Sequence, residues 1–330
     1  MHHVTAIALA TLLMVNGGIA VSGPGNRNAH GMVYDERRHA TVLFGGADAS
    51  SVRGDTRAWD GHRWRVLDVA GPSPRTFPAF VWDAARSEAL LFGGRKVLFG
   101  RDGERDTCLS DTWVLGLDGW HRRAAAGPPP RSEAGIAYDR DRRMVVLFGG
   151  YNDIGGERVR LGDTWESDGA AWILRTRSGP VPRSGVAMAY DERLHRMVLF
   201  GGSGGPRSDT WTWDGIRWEV VRTPPIPARF NSLAQYDSVR RQLIRTTGWN
   251  GTARVKETWL FDGGGWLLRS TDGPGARNHS AIAFDRDRGR LVLHGGHDGT
   301  VVFGDTWEWD GQTWIERLSA PPLPRVENNH

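Results

Sequence analysis

An all-β fold, a ring of six blades with four antiparallel strands each, is predicted by three features of this 330-residue sequence. The chain aligns on itself in six copies, with a period of about 50 residues. Each copy combines a nearly continuous apolar run with shorter segments of alternating polarity, which are patterns of buried and half-buried β-strands. Tryptophan occurs 16 times and recurs at matching places in the copies. These features together are typical of a β-propeller.

The first strand of each copy is a short apolar segment that ends in an aromatic residue and an aspartate. Residues 280–284 illustrate it, with the sequence Ser-Ala-Ile-Ala-Phe before Asp285. We expect this strand to be the innermost of its blade. The six aromatic-aspartate pairs are Tyr34-Asp35, Trp82-Asp83, Tyr138-Asp139, Tyr190-Asp191, Tyr236-Asp237 and Phe284-Asp285.

The second strand is almost wholly apolar, as in residues 145–148, and this fits a strand that is buried on both faces. It closes in two glycines, except in the fifth copy, where Thr247-Gly248 takes their place. The glycine pairs are Gly45-Gly46, Gly93-Gly94, Gly149-Gly150, Gly201-Gly202 and Gly295-Gly296.

The third and fourth strands follow a loop of variable length. The third begins at an Asp-Thr pair, at 55, 111, 163, 209 and 305, and at Glu257-Thr258 in the fifth copy. It alternates in polarity, as in Trp307-Glu308-Trp309, and an Asp-Gly turn then leads into the fourth strand. One tryptophan closes each copy: Trp64, Trp120, Trp172, Trp218, Trp266 and Trp314.

In these motifs the chain resembles the kelch-repeat proteins of the galactose oxidase and kelch-like superfamily, bacterial type, from about Arg27 to Arg325. The double glycine, the Asp-Thr-Trp sequence and the closing tryptophan carry the resemblance. The Trp-Asp pairs at 59–60, 213–214 and 309–310 are superficially like those of WD40 proteins. That family, however, repeats every ~40–45 residues and has a Gly-His element. The resemblance implies the fold and leaves the activity open, because propellers host many unrelated functions.

The copies divide the chain into a propeller and two ends. The propeller is expected over residues 23–325, with blades at about 27–72, 73–128, 129–180, 181–226, 227–274 and 275–320, and a linker or tail at 321–330. Residues 1–22 are predicted to be a signal peptide or an N-terminal extension. The apolar stretch from Val4 to Val15 precedes small residues that end at Ala20, although no Lys or Arg stands before it. We expect a secreted or periplasmic protein, with the cytoplasm as the alternative.

Composition limits the partners. The formal net charge is +4, and no basic run or nucleic-acid module is present, so we expect no nucleic-acid partner. The apolar stretch near the start is shorter than the ~20 residues that span a bilayer, so no membrane span is expected. Cys108 is the single cysteine, which excludes an internal disulfide. We expect no cofactor, because no phosphate loop, nucleophile elbow or HExxH motif occurs, and we expect a monomer.

Residues that break the repeat are the best candidates for function, since those present in every copy serve the blade. The residue after the glycine pair varies, and it lies in the loop between strands two and three, where kelch proteins usually bind ligands. These residues are Ala47, Arg95, Tyr151, Ser203, Trp249 and His297. Aromatic rings beside polar groups such as Asn250 suit a sugar ring, through apolar stacking and directional hydrogen bonds. The alternative is that Trp249 and Tyr151 fill gaps in the fold.

Arginine forms a second candidate set. One stands eight residues before each first-strand aspartate, at Arg27, Arg75, Arg131, Arg183, Arg229 and Arg277. In kelch domains that bind acidic peptides, arginines of this loop reach the ligand, and their planar fork suits carboxylates. The alternative is a structural pairing with the third-strand aspartates. Further arginines in variable loops make this face electropositive: Arg53, Arg95, Arg101, Arg105, Arg158, Arg160, Arg207 and Arg254.

The residues just after these arginines also vary. They include His30, Phe77, Glu133, Phe230, Asn231 and His279. Glu133 is the carboxylate in this position, so it and His279 are the candidates for acid–base chemistry. The alternative is that Glu133 is an ordinary carboxylate that is solvated or paired with an arginine.

His279, His294 and His297 could together suggest a copper or zinc site, but we expect no metal, because His294 replaces a phenylalanine that packs into the blade. The resemblance to galactose oxidase does not extend to its chemistry. That enzyme needs two tyrosine ligands, one of them cross-linked to cysteine, and among the five tyrosines only Tyr151 lies outside the framework.

The sequence therefore predicts a non-catalytic binding module whose Arg-rich, aromatic face takes an acidic peptide, protein segment or glycan. The predicted ligand-binding residues are Trp249, Tyr151, His297, Arg95, Asn250, Asn231, Arg254, Arg229 and Arg277. One alternative is an exported enzyme that acts on an acidic sugar and is similar to the kelch-type sialate mutarotases. Another is a purely structural assembly protein.

Overall fold

The computed structural model describes residues 23–96, 107–123, 126–204, 207–222, 224, 226–318 and 323–324. These residues form six four-stranded antiparallel sheets and contain no helix. The predicted all-β propeller of six blades is thereby confirmed. The predicted leader at 1–22 and most of the tail at 321–330 lie outside the described residues.

The first three blades occupy the N-terminal half of the chain. Blade 1 contains β1 (Gly31–Asp35), β2 (Ala40–Phe44), β3 (Thr56–Trp59) and β4 (Trp64–Leu67). Blade 2 contains β5 (Ala79–Asp83), β6 (Glu88–Phe92), β7 (Thr112–Gly116) and β8 (Gly119–Arg123). Blade 3 contains β9 (Gly135–Asp139), β10 (Met144–Phe148), β13 (Thr164–Ser167) and β14 (Trp172–Thr176), with a hairpin of β11 (Tyr151–Ile154) and β12 (Glu157–Arg160) in its loop.

The last three blades repeat the pattern. Blade 4 contains β15 (Ala187–Asp191), β16 (Arg196–Phe200), β17 (Thr210–Trp213) and β18 (Trp218–Val221). Blade 5 contains β19 (Leu233–Asp237), β20 (Gln242–Thr246), β21 (Thr258–Phe261) and β22 (Trp266–Ser270). Blade 6 contains β23 (Ala281–Asp285), β24 (Arg290–His294), β26 (Thr306–Trp309) and β27 (Trp314–Leu318). In its loop, β25 (Val301–Val302) pairs with β28 (Leu323–Pro324).

The closing tryptophans hold neighbouring blades together. Each indole N–H donates to the hydroxyl of the third-strand threonine in the preceding blade, over 2.8–3.1 Å. At five of the six seams the same indole packs at a steep angle against that blade's second-strand aromatic ring, as in Trp120 against Phe44 with centroids 5.1 Å apart and an interplanar angle of 61°. The tryptophans thus combine buried aromatic area with a satisfied polar group. This accounts for their presence in every copy.

The six arginines that stand eight residues before the first-strand aspartates, which we call the ring arginines, have a structural role. Each is at most 2% exposed, and each pairs with the acidic residue that begins its own blade's third strand. Arg131 is typical, because its Nη1 and Nη2 bind the two oxygens of Asp163 at 2.7 and 2.9 Å, and Nη1 also donates to the Gly149 carbonyl. Such a buried, bidentate pair fixes the linker to the sheet. Of the two interpretations of these arginines, the structural pairing is confirmed.

In five blades a double glycine makes room for the linker of the next blade. Gly149 has φ of 64°, and a Cβ built on it would lie 2.5 Å from the carbonyl oxygen of Arg183. No side chain fits this left-handed position without moving the backbone of the following blade. The glycines therefore allow the next linker to lie directly against the sheet in five blades, while in blade 5 Thr247 adopts this left-handed conformation with φ of 57°.

The ring closes without exchange of strands, since each blade is built from consecutive strands. The seam between blades 6 and 1 uses the same contacts as the other seams. Trp64 donates to Thr306 over 2.9 Å, and the Arg27 amide donates to the Phe303 carbonyl over 3.0 Å.

One end of the central channel is crossed by ion pairs. Glu36, Arg140, Glu192 and Arg286 follow the first-strand aspartates of blades 1, 3, 4 and 6. Arg140 pairs with both Glu36 and Glu192, and Arg286 pairs with the same two carboxylates. This closed set of four charges lies at the loops between strands one and two. A ligand that approaches the channel therefore meets an ion-pair network at this end, and the varied loops lie at the other.

Among the described residues, no helix is long and apolar enough to cross a membrane.

Candidate functional site

A cleft of about 360 Å³ lies on the face formed by the linkers and the loops between strands two and three. Blades 3 to 6 contribute its walls. Its residues are Glu133, Arg158, Arg160, Ser184, Ser203, Phe230, Asn231, Trp249, Arg254, Asn278 and His279. Most of them are residues that break the repeat.

A ring of left-handed residues forms the floor of this face. The residue two places after each ring arginine has a positive φ, between 50° and 61°. Backbone hydrogen bonds run from blade to blade along this ring, for example from the Asn231 amide to the Gly185 carbonyl at 2.7 Å. The framework therefore holds the backbone in a conformation that non-glycine residues seldom adopt, while the side chain is free to vary. The six residues are Ala29, Phe77, Glu133, Gly185, Asn231 and His279.

Glu133 lies in this ring and is half-buried. Its Oε2 accepts a hydrogen bond from Ser184 at 3.0 Å, and the Ser184 hydroxyl is 2.8 Å from that of Ser203. Burial raises the pKa of the Glu133 carboxyl above its usual value, against the smaller opposing effects of Ser184 and of Arg158. The carboxyl therefore keeps its proton to a higher pH than an exposed glutamate does.

His279 belongs to a chain of polar contacts on the opposite wall. Its Nε2 is 2.7 Å from the Asn231 amide nitrogen, and its Nδ1 is 3.0 Å from Nε2 of His297. With Asn231 donating to Nε2, the proton of the neutral imidazole lies on Nδ1 and is donated to His297. The ring of Phe77 packs edge-on against His279, with centroids 4.8 Å apart. The orientation of His279 is thus set from three sides.

Trp249 and Arg254 form a stacked pair at the rim. The Arg254 guanidinium carbon lies 5.0 Å from the Trp249 ring centroid, and its Nε donates to Asn278 Oδ1 at 3.0 Å. Trp249 is anchored through its backbone, which exchanges two hydrogen bonds with Phe230. Because a cation over an aromatic face is attracted to it, the guanidinium is presented to the cleft in a defined place.

A second stack, on Tyr151, supports the opposite rim. The Arg158 guanidinium carbon lies 4.2 Å from the Tyr151 ring centroid, and Arg95 donates to the Tyr151 hydroxyl at 2.6 Å. Tyr151 and Arg95 are buried, while Arg158 and Arg160 are exposed on the β11–β12 hairpin. Burial raises the pKa of Tyr151 to about 12. The tyrosine is therefore a neutral platform beneath an exposed cation.

No protein-family profile matches this chain. Curated proteins, however, match parts of it. An F-box/kelch-repeat protein of Arabidopsis thaliana is 32% identical over 139 residues, which is 36% of this chain and 28% of that protein. The six blades and this similarity identify the repeat.

This chain is a kelch-repeat β-propeller.

Two proteins of Chlamydomonas reinhardtii also match parts of this chain. The flagellar outer-arm dynein alpha chain is 32% identical over 164 residues, 42% of this chain and 4% of its own. Dynein regulatory complex subunit 7 is 31% identical over 115 residues, 32% of this chain and 10% of its own. The alignments thus cover under a third of each relative's length.

The kelch propeller brings together five of the residues that the sequence suggested. Trp249, Arg254, Asn231, Glu133 and His279 all line the cleft. They come from three different blades, so only the closed ring makes them neighbours.

Three further suggested residues lie beneath the cleft and support it. Tyr151, Arg95 and His297 are each at most 4% exposed. Tyr151 contacts the lining residue Arg158, His297 contacts the lining residue His279, and Arg95 donates to Tyr151.

Three suggested residues do not belong to the cleft, which corrects the sequence-based set. Arg229 and Arg277 are buried and paired with Glu257 and Asp305, so neither guanidinium faces the cleft. The Asn250 carbonyl accepts the amides of its own turn, including that of Ala253 at 2.7 Å, so this residue shapes the loop.

Sequence reasoning missed Ser184 and Asn278 as cleft residues. Both directly follow a ring arginine, and they contact Glu133 and Arg254 respectively. The variation at this position, next to the left-handed residue, was the available signal. Of the variable-loop arginines, Arg101 and Arg105 lie outside the described residues.

The part of the chain that the structure describes gathers no group of three or more His, Cys, Asp or Glu side chains that could hold a metal ion. His294 is buried in the seam between blades, where its Nδ1 lies 3.1 Å from the Thr306 hydroxyl.

Proposed function

We propose that the kelch propeller is a non-catalytic interaction module whose cleft binds an anionic segment of a peptide, protein or glycan. A protein-interaction role fits the fold and the kelch relative. The single observation that supports the anionic ligand is the convergence of Arg158, Arg160 and Arg254 on one cleft.

The geometry favours oxyanions over other anions. A guanidinium offers a planar fork of N–H donors that matches a carboxylate, and stacking on an aromatic ring restricts its orientation. Two of the three guanidiniums lie over such rings, Arg158 over Tyr151 and Arg254 over Trp249. They therefore lose less side-chain entropy on binding than a free surface arginine does.

The remaining wall suits the uncharged part of such a ligand. Phe230 and Trp249 offer apolar faces, and Asn231, Ser184 and Ser203 offer hydroxyl and amide groups. A sugar ring or a peptide backbone can use both kinds of contact.

Charge reversal at the cleft tests this proposal. Fluorescence anisotropy with a fluorescein-labelled hexaglutamate peptide, and calorimetry with glucuronic acid, cover the two ligand classes. We expect Arg254→Glu and Arg158→Glu each to weaken binding at least tenfold, because an attraction becomes a repulsion. Arg177→Glu is the matched control, since Arg177 is exposed on blade 3 outside the cleft. Equal affinity in the wild type and in both cleft variants would contradict the proposal.

A second candidate function is proton transfer on an acidic sugar. The raised pKa of Glu133, in the same cleft as His279, is the observation that favours it. In this case an arginine holds the sugar carboxylate while Glu133 and His279 move protons. The test follows the interconversion of the anomers of N-acetylneuraminic acid by NMR. A rate enhancement that persists in both Glu133→Gln and His279→Ala would dispose of this candidate.

A further inference from the structure

Blade 5 departs from the other blades at its buried ion pair. In the other five blades the ring arginine pairs with an aspartate, which in blade 1 also binds Arg57. In blade 5 the acid is Glu257, and a second arginine, Arg245, lies in β20. Arg245 replaces the leucine that stands at the equivalent place in each of the other blades, at 43, 91, 147, 199 and 293.

Arg245 is fully enclosed by aromatic side chains. It is 1% exposed, and its guanidinium carbon lies 4.4 Å from the ring centroid of Phe200, 5.2 Å from that of Trp266 and 5.5 Å from that of Trp259. These rings attract the cation. The three rings, however, provide no ordinary hydrogen-bond acceptor for the N–H groups of Arg245, which lie in the plane of its guanidinium.

Several donors at this place have no hydrogen-bond partner among the described residues. They are Nε and Nη2 of Arg245 and Nε of Arg229. In each of the other blades the ring arginine donates its Nε to a backbone carbonyl at 3.0–3.1 Å. Buried donors without a partner are rare in folded proteins, because each costs free energy.

The charges are also unbalanced. Arg229 and Arg245 together carry two positive charges, and Glu257 supplies one negative charge that is already bound to Arg229. Burial, followed by the charge of Arg229, lowers the pKa of Arg245 to about 9, so the group remains a cation at neutral pH. A buried net charge is expected to be compensated by a counter-ion.

We propose that a small inorganic anion, such as chloride, binds between blades 4 and 5 and accepts hydrogen bonds from the free N–H groups of Arg245 and Arg229. The aromatic enclosure favours a monatomic ion over a larger oxyanion. Arg229 directly precedes Phe230 and Asn231, which line the cleft, so the anion braces the backbone beneath the candidate site. This proposal stands independently of what the cleft binds.

Thermal unfolding at constant ionic strength tests the site. Sodium chloride replaces sodium gluconate stepwise, up to an assay concentration of 200 mM. We expect the Tm of the wild type to rise by about 2–4 °C, because a ligand that binds only the folded state stabilises it. Arg245→Leu, which restores the residue of the other blades, abolishes the rise. Arg177→Leu, an exposed control, retains it.

Crystals soaked in sodium bromide provide a second measurement that does not depend on the stability of a variant. We expect an anomalous peak within hydrogen-bond distance of Arg245 Nη2. A chloride dependence that is absent from the wild type, or equal in Arg245→Leu, would overturn the proposal. The proposal would also be overturned if the site held an ordered water molecule and no bromide. If Arg245→Leu does not fold, Arg245→Met and the bromide map decide the question.

Discussion

Trp64 of blade 1 donates its indole N–H to the hydroxyl of Thr306 in blade 6, over 2.9 Å, although 242 residues separate them in the chain. This bond joins the two ends of the propeller. The same bond occurs at each of the other five seams, so the molecule closes by repeating one contact.

Removal of this bond tests how much it contributes to ring closure. We expect Trp64→Phe and Thr306→Val each to lower the free energy of unfolding by about 1–3 kcal/mol. Each substitution leaves a buried polar group without a partner or creates a cavity. Urea denaturation of the two single variants and the double variant gives a coupling energy of about 0.5–1.5 kcal/mol. Trp120→Phe with Thr56→Val is the matched cycle at an internal seam. Strictly additive effects at the closing seam would contradict the role of the bond.

His294 makes this seam sensitive to acid. Burial is the largest cause, and the charge of Arg27 the second, that lowers the pKa of His294 to about 3. The neighbouring His30 also has a pKa well below its usual value. Asp305 and Arg277 also face His294. The unfolded chain takes up a proton near pH 6.5 while the folded chain does not. Stability is therefore complete above pH 6.5 and falls between pH 6.5 and 3, by up to ~1.4 kcal/mol per pH unit for this group.

His294→Phe restores the residue found at this place in blades 1 to 4 and removes the titrating group. We expect the loss of stability between pH 6.5 and 4 to become less steep by about 1 kcal/mol per pH unit, with His30 still contributing to the remaining slope. Guanidinium titrations at several pH values provide the measurement. His62→Gln, at an exposed position, leaves the slope unchanged. An identical slope in wild type and His294→Phe would show that this histidine does not set the acid limb.

Trp309 has an indole N–H without a hydrogen-bond partner among the described residues. The corresponding Trp213 and Trp59 donate to Glu166 and Glu308 of their preceding blades at 2.9 and 3.0 Å. Blade 5 has Leu260 where blades 3 and 6 have those glutamates. The missing acceptor therefore follows from one substitution within the repeat.

We expect Leu260→Glu to stabilise the propeller by about 1 kcal/mol, because it gives the Trp309 N–H an acceptor. Glu166 is also held by Arg142 and Arg175, and blade 5 keeps the equivalent arginines, Arg240 and Arg269. Thermal unfolding of this variant and of the reverse change, Glu166→Leu, measures both directions. A lower Tm for Leu260→Glu would mean that the cost of placing a carboxylate there exceeds these contacts.

Glu133 separates the two candidate functions through pH. Its pKa is raised, so as pH falls through that pKa the carboxyl becomes neutral and ceases to repel an anionic ligand. For a binding module we expect hexaglutamate affinity to increase as the pH falls through that pKa. Above that pKa, Glu133→Gln then binds about fivefold more tightly than the wild type, and it loses this pH dependence. A loss of affinity in Glu133→Gln would contradict repulsion by Glu133.

Much of the fold could be predicted because many residues of the repeat have a single structural role. Asp163, Thr164 and Trp165 show this, since the aspartate takes the ring arginine and the Trp165 indole, and the threonine takes Trp218 of the next blade. Each partner recurs at an equivalent place in the repeat, although the loops between them differ in length. Periodicity therefore predicted the strands, the framework tryptophans and the pairing of the arginines.

The cleft could be predicted only in part. The repeat identified Glu133, Asn231 and His279 as departures, but their left-handed backbone and their arrangement around one floor depend on hydrogen bonds between blades. Arg229 and Tyr151 show the limit of the method. Their residue types suit a ligand, and only the structure shows that both are buried.

The sequence by itself determined six copies of a four-stranded blade, because strand periodicity, turn glycines and framework aromatics are local properties of each copy. The tertiary structure decided which variable residues meet, which arginines remain available at the cleft, and which buried donors at Arg245 lack a partner. Those outcomes depend on contacts between blades. A ring brings residues from separate copies together only when it closes.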